Sequence, residues 1–245
     1  MRRLGADLIG AVLLVAAVSL AAVAPLAADG RLGATPLDNL SGSAKIDAII
    51  ERVVERQRGM HAMRADFVQV RSSSLLLSDV RSTGEFAYLA PDRVRWDYDK
   101  PDPMVVLFAD DWVTTYHPEG RRAERVKVSS GDRRFVQALA GTLPMDDLLS
   151  YFSITFVDRP APEPYLFTFE PTAASLRRRL ESLQLTIDRS LLIPVVVEFH
   201  EADGDFTRYE FHDIQIDPNI TASRFLLDLG EDVAVETIDA SSGIG

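Results

Sequence analysis

The sequence predicts a mainly β protein: one amphipathic helix followed by a strongly curved sheet or barrel of about 11 strands in hairpin order. Three observations predict it. Apolar residues recur at helical spacing only near the start of the body and again around residues 132–152. Elsewhere they alternate with polar ones over runs of five to eleven residues. Turn residues punctuate those runs at short, regular intervals, and no repeat of 20–50 residues is visible.

The elements follow in order. Arg2 and Arg3 precede an apolar run, Leu8–Ala28, that ends in small residues. A basic start, an apolar middle and a small-residue end form a secretory signal over residues 1–28, with cleavage expected after Ala28. The alternative is an uncleaved anchor, since ~20 apolar residues span a bilayer. Residues 29–43 read as a flexible leader and 44–245 as a single domain. Ser43 is the expected N-cap of a helix. Ile46, Ile49, Ile50, Val53, Val54 and Met60 share one face of it, opposite Asp47, Glu51, Arg52, Glu55 and Arg56.

The period then changes to two. Ala65–Ser72 sets Phe67 and Gln69 against Asp66, Val68 and Val70. Gly84–Leu89 follows. Arg93–Asp99 alternates most cleanly, with Val94, Trp96 and Tyr98 on one face and Arg93, Arg95, Asp97 and Asp99 on the other. Asp110-Asp111 marks a hairpin turn between 104–109 and 112–117, and Pro118–Gly120 a turn before 122–128. Phe135, Val136, Leu139 and Leu143 suit one short helix; Pro144 opens another with Leu148, Leu149 and Phe152. Strands are expected again at 154–158, 165–170, 183–189, 195–201, 206–216 and 225–229. Asp203-Gly204 carries a type I′ hairpin signal.

Composition excludes several functions. The chain has 245 residues, 47% hydrophobic and 26% charged, enough for a substantial core. Its net charge is −11, which disfavours nucleic acid. Loss of Arg2, Arg3 and Asp7 with the signal makes it one unit more negative. There is no cysteine, hence no disulfide, no thiol catalysis and no lipid anchor on cysteine. His61, His117, His200 and His212 show no metal-ligand spacing. His200 and His212 are read as cross-strand neighbours, too few ligands for a metal. Asp110-Asp111, Asp146-Asp147 and Glu231-Asp232 fall at turns or a helix start. No phosphate-binding glycine loop and no G-x-S-x-G occurs. The chain is read as no enzyme, with no cofactor and no catalytic residue.

The order of motifs resembles a known family. Ala65-Asp66-Phe67-Val68-Gln69 is followed by Gly84-Glu85-Phe86, by Pro91-Asp92-Arg93-Val94-Arg95-Trp96-Asp97-Tyr98 with Pro101, by Asp110-Asp111-Trp112 and by Tyr116-His117-Pro118. This looks like the outer-membrane lipoprotein carrier (LolA) family of diderm bacteria, over roughly residues 44–237. The stretch from Phe225 through Val233 and Val235 looks like the family's closing strand. The resemblance implies a half-open, incomplete antiparallel barrel with an α-helical lid over an apolar cavity that takes lipoprotein acyl chains. It implies a monomeric periplasmic chaperone that ferries acylated lipoproteins from the inner to the outer membrane. An inner-membrane ABC transporter loads it and an outer-membrane receptor unloads it. That receptor is itself a cysteine-anchored lipoprotein, so the absence of cysteine favours the carrier role. Many members carry Arg before the Pro of the third-strand motif, where it latches the lid; here that residue is Ala90. The alternative function on the same fold is a periplasmic lipid-sensing regulator or general lipid-binding protein.

The candidate lipid-binding residues are Phe86, Tyr88, Val94, Trp96 and Tyr98 on the sheet and Ile49, Ile50, Val53 and Val54 on the lid. Patterning alone reads them as ordinary core contacts; it is the family resemblance that makes them a lipid-binding wall. Trp96 is expected to line the cavity, so that its truncation weakens lipid uptake more than folding. Leu75-Leu76-Leu77 forms either a projecting lip that meets a membrane or partner, or a short packed strand. Arg177-Arg178-Arg179 meets an acidic partner or lipid head group, or is a solvated loop. N-terminal sequencing of the protein from native cells is expected to begin near Asp29. An intact Met1 in the membrane pellet would overturn the cleaved signal.

Overall fold

The computed structural model describes residues 36–74, 76–128 and 145–239. The signal segment 1–28, Leu75, and the helical spacing from Phe135 to Pro144 lie outside them. Helix α1 spans Gly42–Gly59. The strands are β1 (Ala62–Ser72), β2 (Val80–Leu89), β3 (Arg93–Lys100), β4 (Met104–Ala109), β5 (Trp112–His117), β6 (Arg122–Lys127), β7 (Phe152–Val157), β8 (Tyr165–Pro171), β9 (Leu180–Ile187), β10 (Pro194–Glu201), β11 (Phe206–Ile216) and β12 (Ala234–Asp239). Single-turn helices α2 (Met145–Leu148) and α3 (Ala174–Arg177) lie between strands.

All twelve strands share one open sheet, in the order β12-β6-β5-β4-β3-β2-β1-β11-β10-β9-β8-β7. Two antiparallel meanders, β1–β6 and β7–β11, meet where β1 pairs with β11. The Asp110-Asp111 turn has φ of 51° and 66°, so two aspartates supply the left-handed pair of a type I′ hairpin. The β10–β11 turn differs from the type I′ expectation. Gly204 at φ 92° is its only left-handed residue, and the Gly204 N–H donates to the Glu201 carbonyl at 3.0 Å. Three loop residues and a glycine bulge replace the two-residue turn.

Other expectations need correction. The N-cap is Ser41 rather than Ser43, and the supposed leader is partly structured. Leu37, in a 3-10 turn over Leu37–Asn39, is buried in the main core. An apolar residue close to the helix start finds the sheet within reach. Phe225–Leu229 forms no strand, although it alternates. Ala222–Phe225 is a 3-10 turn, and the closing strand is β12, parallel to β6. Phe225 instead buries itself on the outer face of the sheet with Ala87 and Leu107, a second small core. His200 and His212 are not cross-strand neighbours: His200 faces Phe206, and His212 pairs with Asp66 of β1.

The outer face of β3 gives the reason for that strap. Arg95 and Asp97 are only half-exposed, and they lie beneath residues 224–226. Arg95 Nε donates to Asp97 at 2.9 Å, and its Nη1 donates to the Arg224 carbonyl at 3.0 Å. Arg224 Nη2 donates to Asp97 at 3.0 Å and also pairs with Glu85, which Arg64 binds from the other side. Charges that are costly to bury alone thus become a clamp when each has a partner.

Arg177, in the basic triplet, donates to the Thr172 carbonyl at 2.6 Å and so serves the end of β8. Leu76 and Leu77 are exposed, which removes the packed-strand reading for them.

Gly84 is the tightest point of the sheet. A Cβ there would stand 1.9 Å from the Asp97 carbonyl oxygen and 2.9 Å from Phe67 Cε1. One obstacle is backbone, so it has little room to yield. Gly84→Ala is expected to cost about 3 kcal/mol or more. Urea unfolding measures it, and an unchanged midpoint would show that the two strands separate freely there.

Candidate functional site

The site is built from the inner face of the sheet and the helix laid across it. Period-two alternation sends Phe86 and Tyr88 of β2 and Val94, Trp96 and Tyr98 of β3 to the same side. Register then places Phe86 opposite Trp96 and Tyr88 opposite Val94. Phe67 and Gln69 of β1 and Tyr209 and Phe211 of β11 continue the face across the seam. Phe67 meets Trp96 edge-on at 4.7 Å and Tyr98 at 4.9 Å between centroids. Trp96 also packs on Phe86 at 4.7 Å, Tyr209 at 4.8 Å and Phe211 at 5.7 Å. Such ring contacts add to the gain from burial alone. Tyr165, Phe167 and Phe169 of β8 and Phe199 of β10 extend the aromatic wall through the second meander.

Helix α1 closes over this wall. Every apolar residue expected at the site joins one buried cluster: Ile49, Val53 and Val54 fully, and Ile50 half-buried against it. Lys45, Ile49, Val53 and Gln57 form one i, i+4 row facing inward. The middle of the row is apolar and both ends are polar, and each end finds a partner. Lys45 Nζ donates to Asp158 at 2.6 Å, just beyond β7. Gln57 Oε1 accepts the Met145 backbone N–H of α2 at 3.0 Å. Beside them, Arg56 Nε donates to the Leu191 carbonyl at 3.1 Å. Ala90 is packed against the core and its N–H donates to the His61 carbonyl at 2.8 Å. The polar contacts that hold the helix therefore come from the helix itself.

The inner face is filled in this closed arrangement. Ile49, Val53, Phe86, Tyr88, Val94 and Trp96 are 0% exposed, so no water-sized space touches them. The rings occupy the hollow that acyl chains were expected to fill. Trp96 is accordingly a packed residue, and the condition under which its truncation was expected to weaken uptake more than folding, a cavity already partly empty around it, is not met. Removing it takes contacts from four other rings.

Two hydroxyls lie within this face. Burial, with the neighbouring Tyr209, raises the Tyr98 hydroxyl well above its ordinary pKa. Burial likewise raises that of Tyr209. Both stay neutral at any working pH. Tyr209 accepts from Gln69 Nε2 at 2.8 Å. Gln69, Tyr209, Phe211, Lys45 and Gln57 were not anticipated as site residues. The alternation Tyr209-Glu210-Phe211 and the four-residue spacing of Lys45 and Gln57 are the signals that mark them.

Among the described residues no three metal-ligating side chains gather. His200 Nε2 lies 2.6 Å from Glu198 and His212 lies 3.8 Å from Glu210, each with a carboxylate of its own strand. No described helix is long and apolar enough to cross a membrane.

Comparisons with known proteins agree with this architecture. The outer-membrane lipoprotein carrier protein of Chromohalobacter salexigens is 29% identical over 143 residues, 58% of this chain and 64% of that protein. The protein of the same name from Alkalilimnicola ehrlichii is 28% identical over 163 residues, 66% of this chain and 70% of that one. A crystal structure of a conserved protein from Thermus thermophilus superposes with a TM-score of 0.50, covering 80% of this chain and all of that one at 11% identity, which speaks for the fold alone. The model of the family described as outer membrane lipoprotein carrier protein LolA matches residues 58–228. That match spans both meanders, the aromatic face and the strap across β3, and the chain belongs to the LolA family of outer membrane lipoprotein carrier proteins.

Proposed function

We propose that this protein is a periplasmic chaperone that takes lipoprotein acyl chains beneath α1 and carries them from the inner to the outer membrane. The observation that carries the reading is the helix α1: an apolar stripe laid on an aromatic concave face, with polar contacts at the ends of its inward row. An ABC transporter of the inner membrane would supply the cargo, and an outer-membrane receptor would receive it.

Magnitudes support an exchange of lid for ligand. Burying a sixteen-carbon chain gains on the order of 10 kcal/mol. Lifting α1 exposes Ile49, Val53 and Val54, at about 1.5–3 kcal/mol each. The lid thus offsets most of the gain for one chain. What remains is a few kcal/mol, weak enough for delivery. A permanently open apolar hollow would hold its ligand too tightly and would expose its own wall when empty.

Photocrosslinking tests the lid. A photoreactive residue in place of buried Val53 is expected to label the acyl chain of a diacylated lipopeptide, whereas one in place of exposed Asp47 labels it several-fold less. Equal labelling from both positions would place the lipid on the outside of the helix and defeat the reading.

A further inference from the structure

Two polar atoms deep in the aromatic face make no hydrogen bond among the described residues: the indole N–H of Trp96 and the hydroxyl of Tyr98. Both residues belong to β3, two positions apart on the same face, and they are 0% and 5% exposed. Tyr209 neighbours the Tyr98 hydroxyl and acts on it by charge and by a side-chain hydrogen bond whose geometry is too poor to satisfy it. Buried polar groups are nearly always bonded, so two unpaired ones side by side on a wall call for a partner that arrives from elsewhere. The surroundings define that partner. The indole N–H only donates, and a neutral tyrosine hydroxyl donates as well, so the partner is an acceptor. It is uncharged. The rings around Trp96 are Phe67, Phe86, Tyr209 and Phe211, none of which balances an anion. Arg71, farther along β1, is felt at Tyr209, but its charge is answered by Glu201 and Asp205. An alkyl chain alone offers no acceptor at all. Gln69 does not fill the role: its Nε2 donates to Tyr209, and its Oε1 bonds neither the indole N–H nor the Tyr98 hydroxyl.

We propose that Trp96 and Tyr98 form a polar station for the carbonyl oxygen of an acyl ester. As the lid rises and the alkyl chain enters among the rings, the ester linkage follows it. Its carbonyl accepts from the indole N–H, with the Tyr98 hydroxyl as the second donor. The station fixes how deep the chain sits and distinguishes an acyl glyceride from a bare alkyl chain. This inference rests on the carrier reading above, and it adds the chemical class of the group recognised. Diacylglyceryl groups of lipoproteins and phospholipids share that ester.

Binding of matched lipids tests it. The probes are a lipopeptide with two ester-linked palmitoyl chains and its dialkyl ether analogue, titrated against the protein by Trp emission or by displacement of a fluorescent fatty acid. The unaltered protein is expected to prefer the ester about tenfold, the worth of one well-made hydrogen bond in a buried setting. Trp96→Phe keeps an aromatic ring and removes the N–H, and Tyr98→Phe removes only the hydroxyl. Each is expected to lower the preference toward unity; Tyr98→Phe leaves the melting temperature in place, whereas Trp96→Phe lowers it because the smaller ring gives up contacts in the packed cluster. Should Trp96→Phe fail to fold, Tyr98→Phe and the unaltered protein still decide the matter. Equal affinity of the unaltered protein for ester and ether overturns the station and leaves the carrier reading intact. So does a preference that persists in the double variant, since it places the acceptor contact elsewhere. Binding of neither lipid overturns the carrier reading itself. A diacyl phosphatidylethanolamine of equal chain length separates the two sources of the ester. Tighter binding of the lipopeptide assigns the station to lipoprotein cargo, and equal binding assigns it to acyl esters in general.

Discussion

The close approach of β2 to its neighbours at Gly84 governs the inner face. Phe67 leans over a position with no side chain and reaches Trp96 and Tyr98 edge-on at once. Those contacts tie β1 to β3 across β2. Trp96 in turn touches Tyr209 and Phe211, so the same cluster bridges the seam between the meanders. With any larger residue at position 84, Phe67 is pushed outward and the cluster loses its hub. The face on which α1 rests depends on that one missing methyl.

The two sides of β3 divide the labour. Inward, Val94, Trp96 and Tyr98 supply an apolar surface that packs in one cluster with α1. Outward, Arg95 and Asp97 hold the strap at residues 224–226 by charge and hydrogen bonds. The outer contacts are saturated with partners from the chain itself, whereas the inner face carries two unpaired polar atoms.

Much of this was legible in residue order. Alternation in 93–99 identified the inner and outer faces of β3, and helical spacing at 46–60 identified α1 and its buried stripe, because burial imposes those periods directly. The family motifs fell in the described strands, where register is set by the same pattern. What local pattern could not reveal was where a segment docks. Phe225–Leu229 alternates like a strand, yet its Phe225 reaches Ala87 and Leu107 from outside the sheet. The partner of β12 is a parallel strand more than a hundred residues earlier, and nothing in either sequence names the other. Lys45 and Gln57 were not anticipated at the site, because their partners, Asp158 and the Met145 backbone, lie far along the chain. The filled state of the hollow was equally hidden, since a packed wall and a ligand-lined wall share one pattern.

The seam between β1 and β11 has a kinetic consequence. Each meander zips from neighbouring hairpins, but Phe67 and Phe211 meet only after nearly all of the strands between them in sequence have been made. Joining such distant segments carries a large loop-closure cost, and chains dominated by pairings of this kind fold slowly. Until β11 arrives, β1 presents an unpaired edge and an aromatic surface to other molecules, a state prone to aggregation. The net charge of −11 keeps such half-made chains apart by mutual repulsion. The acidity of the surface thus protects the molecule most during the interval before its two halves have met.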